Sequence, residues 1–172
     1  MNAFVPYSIP ILGLKAGIHK YSFTLDNAFF SHFEASPVED GLVNVEVQLD
    51  KLPDVFVFDF SVKGKVKAIC DRCTADINLP VESEGQLLVK YGEAQQEEDD
   101  EIVFVERDTA TFNIAQYLYE FVLLGLPFIL AYDCENDAVP PCNFDVLKYL
   151  SQDTDENINP NPIWDSLKNL DN

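Results

Sequence analysis

Four cysteines are the residues best equipped to do chemistry in this chain. Cys70 and Cys73 stand in a C-x-x-C spacing, and Cys134 and Cys142 follow with seven residues between them. Two thiolates separated by two residues on a tight turn can point at one tetrahedral metal ion, and a second pair can complete the shell. Cys70, Cys73, Cys134 and Cys142 are therefore a candidate four-cysteine zinc site, although the gap within the second pair is wider than the usual ligand spacing. A redox C-x-x-C usually opens a helix, whose dipole lowers the thiol pKa. Here the pair joins two strand-like segments, which argues against a thioredoxin-like role. Small, partly buried thiols with no further role are the remaining reading.

The second group is a set of cations. Lys63, Lys65, Lys67 and Arg72 are four of only 11 Lys and Arg, and they lie on one strand face and the adjoining turn. Such a stripe could touch phosphate. It could equally be a solvated strand face whose charges discourage edge-to-edge aggregation. Against it stand 30 Asp and Glu, which give a formal net charge of -19. Nucleic acid is bound mainly through cations set against phosphates, so this balance repels a polyanion at long range, and DNA is not expected as a ligand. A basic protein surface would instead be attracted and steered, or the charge serves only solubility.

Catalytic signatures are missing. The chain has no Gly-rich phosphate loop, H-E-x-x-H, G-x-S-x-G or EF-hand pattern. His19 and His32 are far in sequence from the cysteines and sit in no recognisable catalytic context. These patterns do not suggest an enzyme.

The elements that must position these groups follow from periodicity. Residues 19–25 alternate as a strand, and Asp26 can cap a short helix running to Phe33. Val43, Val45, Val47 and Leu49 alternate with polar residues in a second strand, and Leu52-Pro53-Asp54 turns the chain. Phe56, Phe58, Phe60, Val62, Val66, Ala68 and Cys70 share one face of a third, with Gly64 as the gap. Ile77, Leu79, Val81, Leu87, Val89 and Tyr91 share one face of a fourth. Two period-2 runs joined by a short polar stretch predict a long antiparallel hairpin over 55–70 and 76–91, with the C-x-x-C at its turn.

Residues 93–101 read as an acidic loop, and residues 102–105 as one more strand. Ile114, Tyr117, Leu118, Phe121 and Leu124 then recur at helical spacing behind a cap at Thr111 or Asn113, and Gly125 and Pro127 stop that helix. Residues 144–150 predict a short helix, and 153–172 a flexible tail carrying Trp164, Leu167 and Leu170. The fold class is α+β: an antiparallel β-rich N-terminal half with a long hairpin, and helices in the C-terminal half. The whole of 1–172 reads as one domain.

Residues 1–17 lack a basic leader and carry Pro6 and Pro10, which suits neither a signal nor a transit peptide. The apolar run 121–132 is far shorter than the ~20 residues that span a bilayer. The expectation is a cytoplasmic protein with no membrane attachment, whose cysteines are reduced thiols or metal ligands and form no disulfide frame.

Several of these residues resemble a known family. Val66-Lys67-Ala68-Ile69-Cys70-Asp71-Arg72-Cys73, followed by Ile77-Asn78-Leu79-Pro80-Val81, resembles the YceD family's strand ending in C-x-R-C with its return strand. Asn113-Ile114-Ala115-Gln116, leading to Leu124-Gly125-Leu126-Pro127, is similar to its helix ending in Leu-x-Leu-Pro. Asn159-Pro160-Asn161-Pro162-Ile163-Trp164 and the following Leu167 and Leu170 are similar to its closing segment. The three blocks occur in the family's order. The resemblance implies a non-enzymatic part in 23S ribosomal RNA synthesis or accumulation and in large-subunit biogenesis. It also implies a basic large-subunit ribosomal protein, the 23S RNA or its precursor as partner. Many members carry His or extra Cys after the Leu-Pro, where this chain has Cys134 and Cys142. A zinc-binding or redox-responsive regulator built on the four cysteines is the alternative reading.

Overall fold

A computed structural model describes residues 4–34, 36–92, 102–134 and 136–152. The acidic stretch 93–101 and the tail 153–172, with its third family-like block, lie outside the described residues. The main element is a five-stranded sheet in the order β2 (Gly17–Leu25), β3 (Asp40–Lys51), β4 (Val55–Ile69), β5 (Asp76–Tyr91) and β6 (Ile102–Val105). The first four strands run antiparallel in chain order, and β6 pairs parallel to β5. The predicted hairpin is present as β4 and β5, pairing from Val55 with Lys90 to Ile69 with Asp76. The α+β class is borne out: strands fill the N-terminal half, and α2 (Ala115–Leu124) and α3 (Phe144–Gln152) follow.

Alternation along the strands makes the two faces of this sheet unlike. Val43, Val45, Val47, Leu49, Phe56, Phe58, Phe60, Val62, Ile77, Leu79, Val81, Leu87 and Val89 are buried on one face. That face is covered by α1 (Asn27–Phe30), by α2 and by a two-stranded ribbon of β1 (Ser8–Pro10) and β7 (Thr111–Asn113). The burial rhythm of β5 lapses at Ser83 and Gly85, and there α2 comes closest. A Cβ on Gly85 would lie 2.0 Å from the Phe121 ring, and the Ser83 hydroxyl donates to the Phe121 carbonyl at 2.6 Å. The missing side chain is thus what lets the helix seat on the sheet. Phe121 then packs on Phe60 with centroids 4.7 Å apart.

Local chemistry fixes the helix ends. Asp26 accepts from the Phe29 N–H at 3.3 Å, as a capping residue should, but α1 stops at Phe30, short of the expected Phe33. Phe33 leaves the helix to stack on Tyr119 of α2 at 3.9 Å, so tertiary packing overrides the local pattern. Asn113 ties three segments together. Its Nδ2 donates to the Phe4 carbonyl at 2.7 Å and to Ser8 Oγ at 2.8 Å, while its Oδ1 accepts from the Ala115 N–H at 3.0 Å. Gly125 ends α2 as expected.

Candidate functional site

The β4–β5 turn is built from its own backbone and from a strap. The Cys70 N–H donates to the Ala75 carbonyl and the Thr74 N–H to the Cys70 carbonyl, both at 2.8 Å. Thr74 takes φ +58°, an unfavourable left-handed conformation for a β-branched residue, so the turn is held by its surroundings. The strap is the segment after α2. The Asp71 N–H donates to the Leu130 carbonyl at 2.8 Å, and the Leu130 N–H donates back to Asp71 Oδ2 at 2.7 Å. Cys70 and Cys73 are both buried free thiols within this closed turn. Burial pushes the Cys70 thiol up, but the N–H groups of Tyr132, Cys73 and Arg72 directed at it outweigh that and leave it below its ordinary value.

The four candidate zinc ligands are therefore placed as two pairs in different states. Cys134 and Cys142 are joined by a disulfide, with Cα atoms 6.8 Å apart. The expectation that none of the four would form a disulfide is corrected at this pair. Spacing alone carries no information on pairing, whereas the fold of 130–142 brings these two side chains together. Among the described residues no group of three or more His, Cys, Asp or Glu stands ready to hold a metal ion.

Lys63, Lys65 and Lys67 do share the open face of β4, and Arg72 sits beyond them on the turn, exposed. Register changes what the stripe can do. Lys63 lies opposite Glu82 and contacts it at 2.8 Å; Lys67 lies opposite Asp40 and contacts it at 2.6 Å. Hydrogen bonding to these carboxylates raises both lysine pKa values and lowers those of Asp40 and Glu82, with Glu84 and Glu46 adding to the field on Lys63. Lys65 has Leu42 and Pro80 as its cross-strand neighbours. Lys63, Lys67 and Glu82 are exposed and Asp40 is only partly buried, so the pairs add little stability. What they do is cancel charge that a phosphate would otherwise meet.

Further along the same open face the twisted sheet forms a concavity of about 830 Å³. Glu46, Asp59 and Glu84 line it against a single cation, Lys20, with Ser22, Gln48, Ser61 and Gln86 between them. Gln86 Nε2 donates to Asp59 Oδ1 at 2.7 Å. Sequence reasoning missed this surface. The alternation announced a polar face, but only the register of three strands gathers its acids into one hollow.

A family model described as large ribosomal RNA subunit accumulation protein YceD matches residues 58–171. The chain belongs to the YceD family. The match begins within β4 and takes in the lysine stripe, all four cysteines, the turn with its strap, and α2 and α3. Thus the YceD match holds the C-x-x-C turn entire but leaves out β1, β2 and β3, which carry Lys20 and Glu46 of the concavity. A search of the curated proteins and a search of the solved structures each returned no match.

Proposed function

We propose that this chain is a non-catalytic factor for accumulation of 23S ribosomal RNA in large-subunit biogenesis, and that it acts by holding a basic large-subunit ribosomal protein. The family description supports the first part. The second rests on one observation: the open sheet face is net acidic where it is concave, and two of its three stripe lysines already face carboxylates. An acidic hollow attracts a Lys- or Arg-rich chain and speeds its encounter. The same surface offers phosphate few unpaired cations, while each phosphate contact needs one. A basic ribosomal protein bound here would be shielded from nonspecific RNA until it is delivered. This work would take place in the cytoplasm.

The test is a ribosome gradient. Cells lacking the protein should show mature 23S RNA and large subunits depleted relative to small subunits. The wild-type chain should restore the ratio, and a chain carrying Glu46→Gln, Asp59→Asn and Glu84→Gln should not. An unchanged subunit ratio in the deletion strain would overturn the functional assignment. Full rescue by the triple variant would overturn the role of the face.

A further inference from the structure

The two edges of the five-stranded sheet are not alike. β6 presents four residues, and a short edge is a poor template for another strand. β2 presents nine, paired to β3 on one side in an unbroken register from Gly17 with Lys51 to Leu25 with Val43. In an antiparallel pair every second residue turns its N–H and C=O away from its partner. Among the described residues, no other strand pairs with that outer side of β2, and no other backbone hydrogen-bonds to it. Edges are commonly protected by a proline, a bulge or several lysines. β2 has no proline and no bulge, and its one lysine is Lys20.

The side chains beside this edge decide what can pair with it. On the open face, Lys20 and Ser22 line the acidic hollow, so the hollow runs out to the edge itself. Ser22 lies opposite Glu46, and Ile18 opposite Asp50. A strand added to β2 would stand two strand spacings, about 10 Å, from β3. A Lys or Arg on its open-face side would reach over the small Ser22 side chain toward Glu46. On the covered face, Tyr21 and Phe23 are only partly buried against the core, and an apolar side chain of the added strand would complete their cover. The matching segment is therefore extended, with basic and apolar residues in alternation.

Two other occupants fit less well. A second copy would bring one chain of net charge -19 against another. The chain's own residues 153–172 hold five acids against the single Lys168, and Pro160 and Pro162 cannot donate to a ladder.

We propose that the outer edge of β2 is a strand-addition site that takes up an extended segment of a basic partner protein, with Lys or Arg at alternate residues. Main-chain hydrogen bonds to β2 supply affinity for an extended chain, and Glu46 and Asp50 select a basic one. The site rests on the reading of the open face as the holder of a basic protein, and specifies which part of that protein is held.

The test uses the full chain and a capped nine-residue peptide that alternates Lys with Val, alongside a copy N-methylated along its backbone. The two carry the same charge, but the second cannot enter a ladder. The plain peptide should bind, and the methylated one should bind at least about tenfold more weakly for want of its hydrogen bonds. Amide hydrogen exchange should show every second N–H of β2 gaining protection with the plain peptide, the others being held already by β3. Equal binding of the two peptides, abolished by Glu46→Gln, Asp59→Asn and Glu84→Gln together, would overturn strand addition and leave the acidic face as a site held by charge alone. Binding of neither peptide would overturn both. Full protection along β2 in the peptide-free chain would show the edge already occupied, by a second copy if it rises with protein concentration and by the chain itself if it does not. Either result overturns the proposal.

Discussion

The two faces of the sheet are written by alternate residues of the same strands, yet they follow different rules. On the covered face, Phe56, Phe58 and Phe60 are almost fully buried, and what matters is volume and fit. On the open face, Glu46, Asp59, Ser61 and Glu84 touch water, and what matters is the sum of charge over a concave surface. The covered face tolerates no vacancy, whereas the open face can lose a side chain without loosening the fold. The comparison teaches that the packing of the core and the charge of the open face are set by separate residues.

That separation can be broken at graded cost. Phe58→Ala or Phe60→Ala should show the largest effect, a loss of about 3–5 kcal/mol in urea unfolding, because each ring packs against a second layer through Phe112 or Phe121. Gly64→Ala should come next at roughly 1–3 kcal/mol. Its Cβ would fall 2.4 Å from the Leu42 carbonyl oxygen, and backbone cannot swing aside as a side-chain tip can. Asn113→Ala should cost on the order of 1 kcal/mol, since it leaves the Ala115 N–H without its acceptor, one residue ahead of the N-cap Ile114, and frees the N-terminal segment at Phe4 and Ser8. The triple change Glu46→Gln, Asp59→Asn, Glu84→Gln should leave the unfolding midpoint where it is, while abolishing most partner binding. A large fall in the midpoint of that variant would show that the two faces are not independent.

How much could be seen in the residues depended on the range of the interaction. The β4–β5 hairpin was legible because its two apolar alternations run inward to one polar turn. The same symmetry puts Lys63 opposite Glu82, so half of the stripe's neutralisation was there to be read. The Lys67–Asp40 pair was not, because it joins strands whose register depends on a separate turn. The ribbon of β1 and β7 went unseen. Its strands are three residues each, too short for a period, and their partners lie about a hundred positions apart. The cysteine motif was legible as a pair at a turn, but the strap that closes it follows from Asp71, at a variable position of that motif, meeting Leu130, which belongs to none. The acidic hollow escaped for a related reason: its three carboxylates come from three strands.

The central claim is that the open face selects a basic protein over RNA, and a salt-titrated binding comparison tests it most directly. Purified protein should bind a basic large-subunit ribosomal protein more tightly than naked 23S RNA at physiological salt. That affinity should fall as salt rises, since exposed charges are screened beyond ~8 Å at 0.15 M. Charge reversal at Lys63, Lys65 and Lys67 should spare the protein complex and weaken residual RNA contact. Tight RNA binding with no protein partner, lost on reversal of those three lysines, would contradict the account.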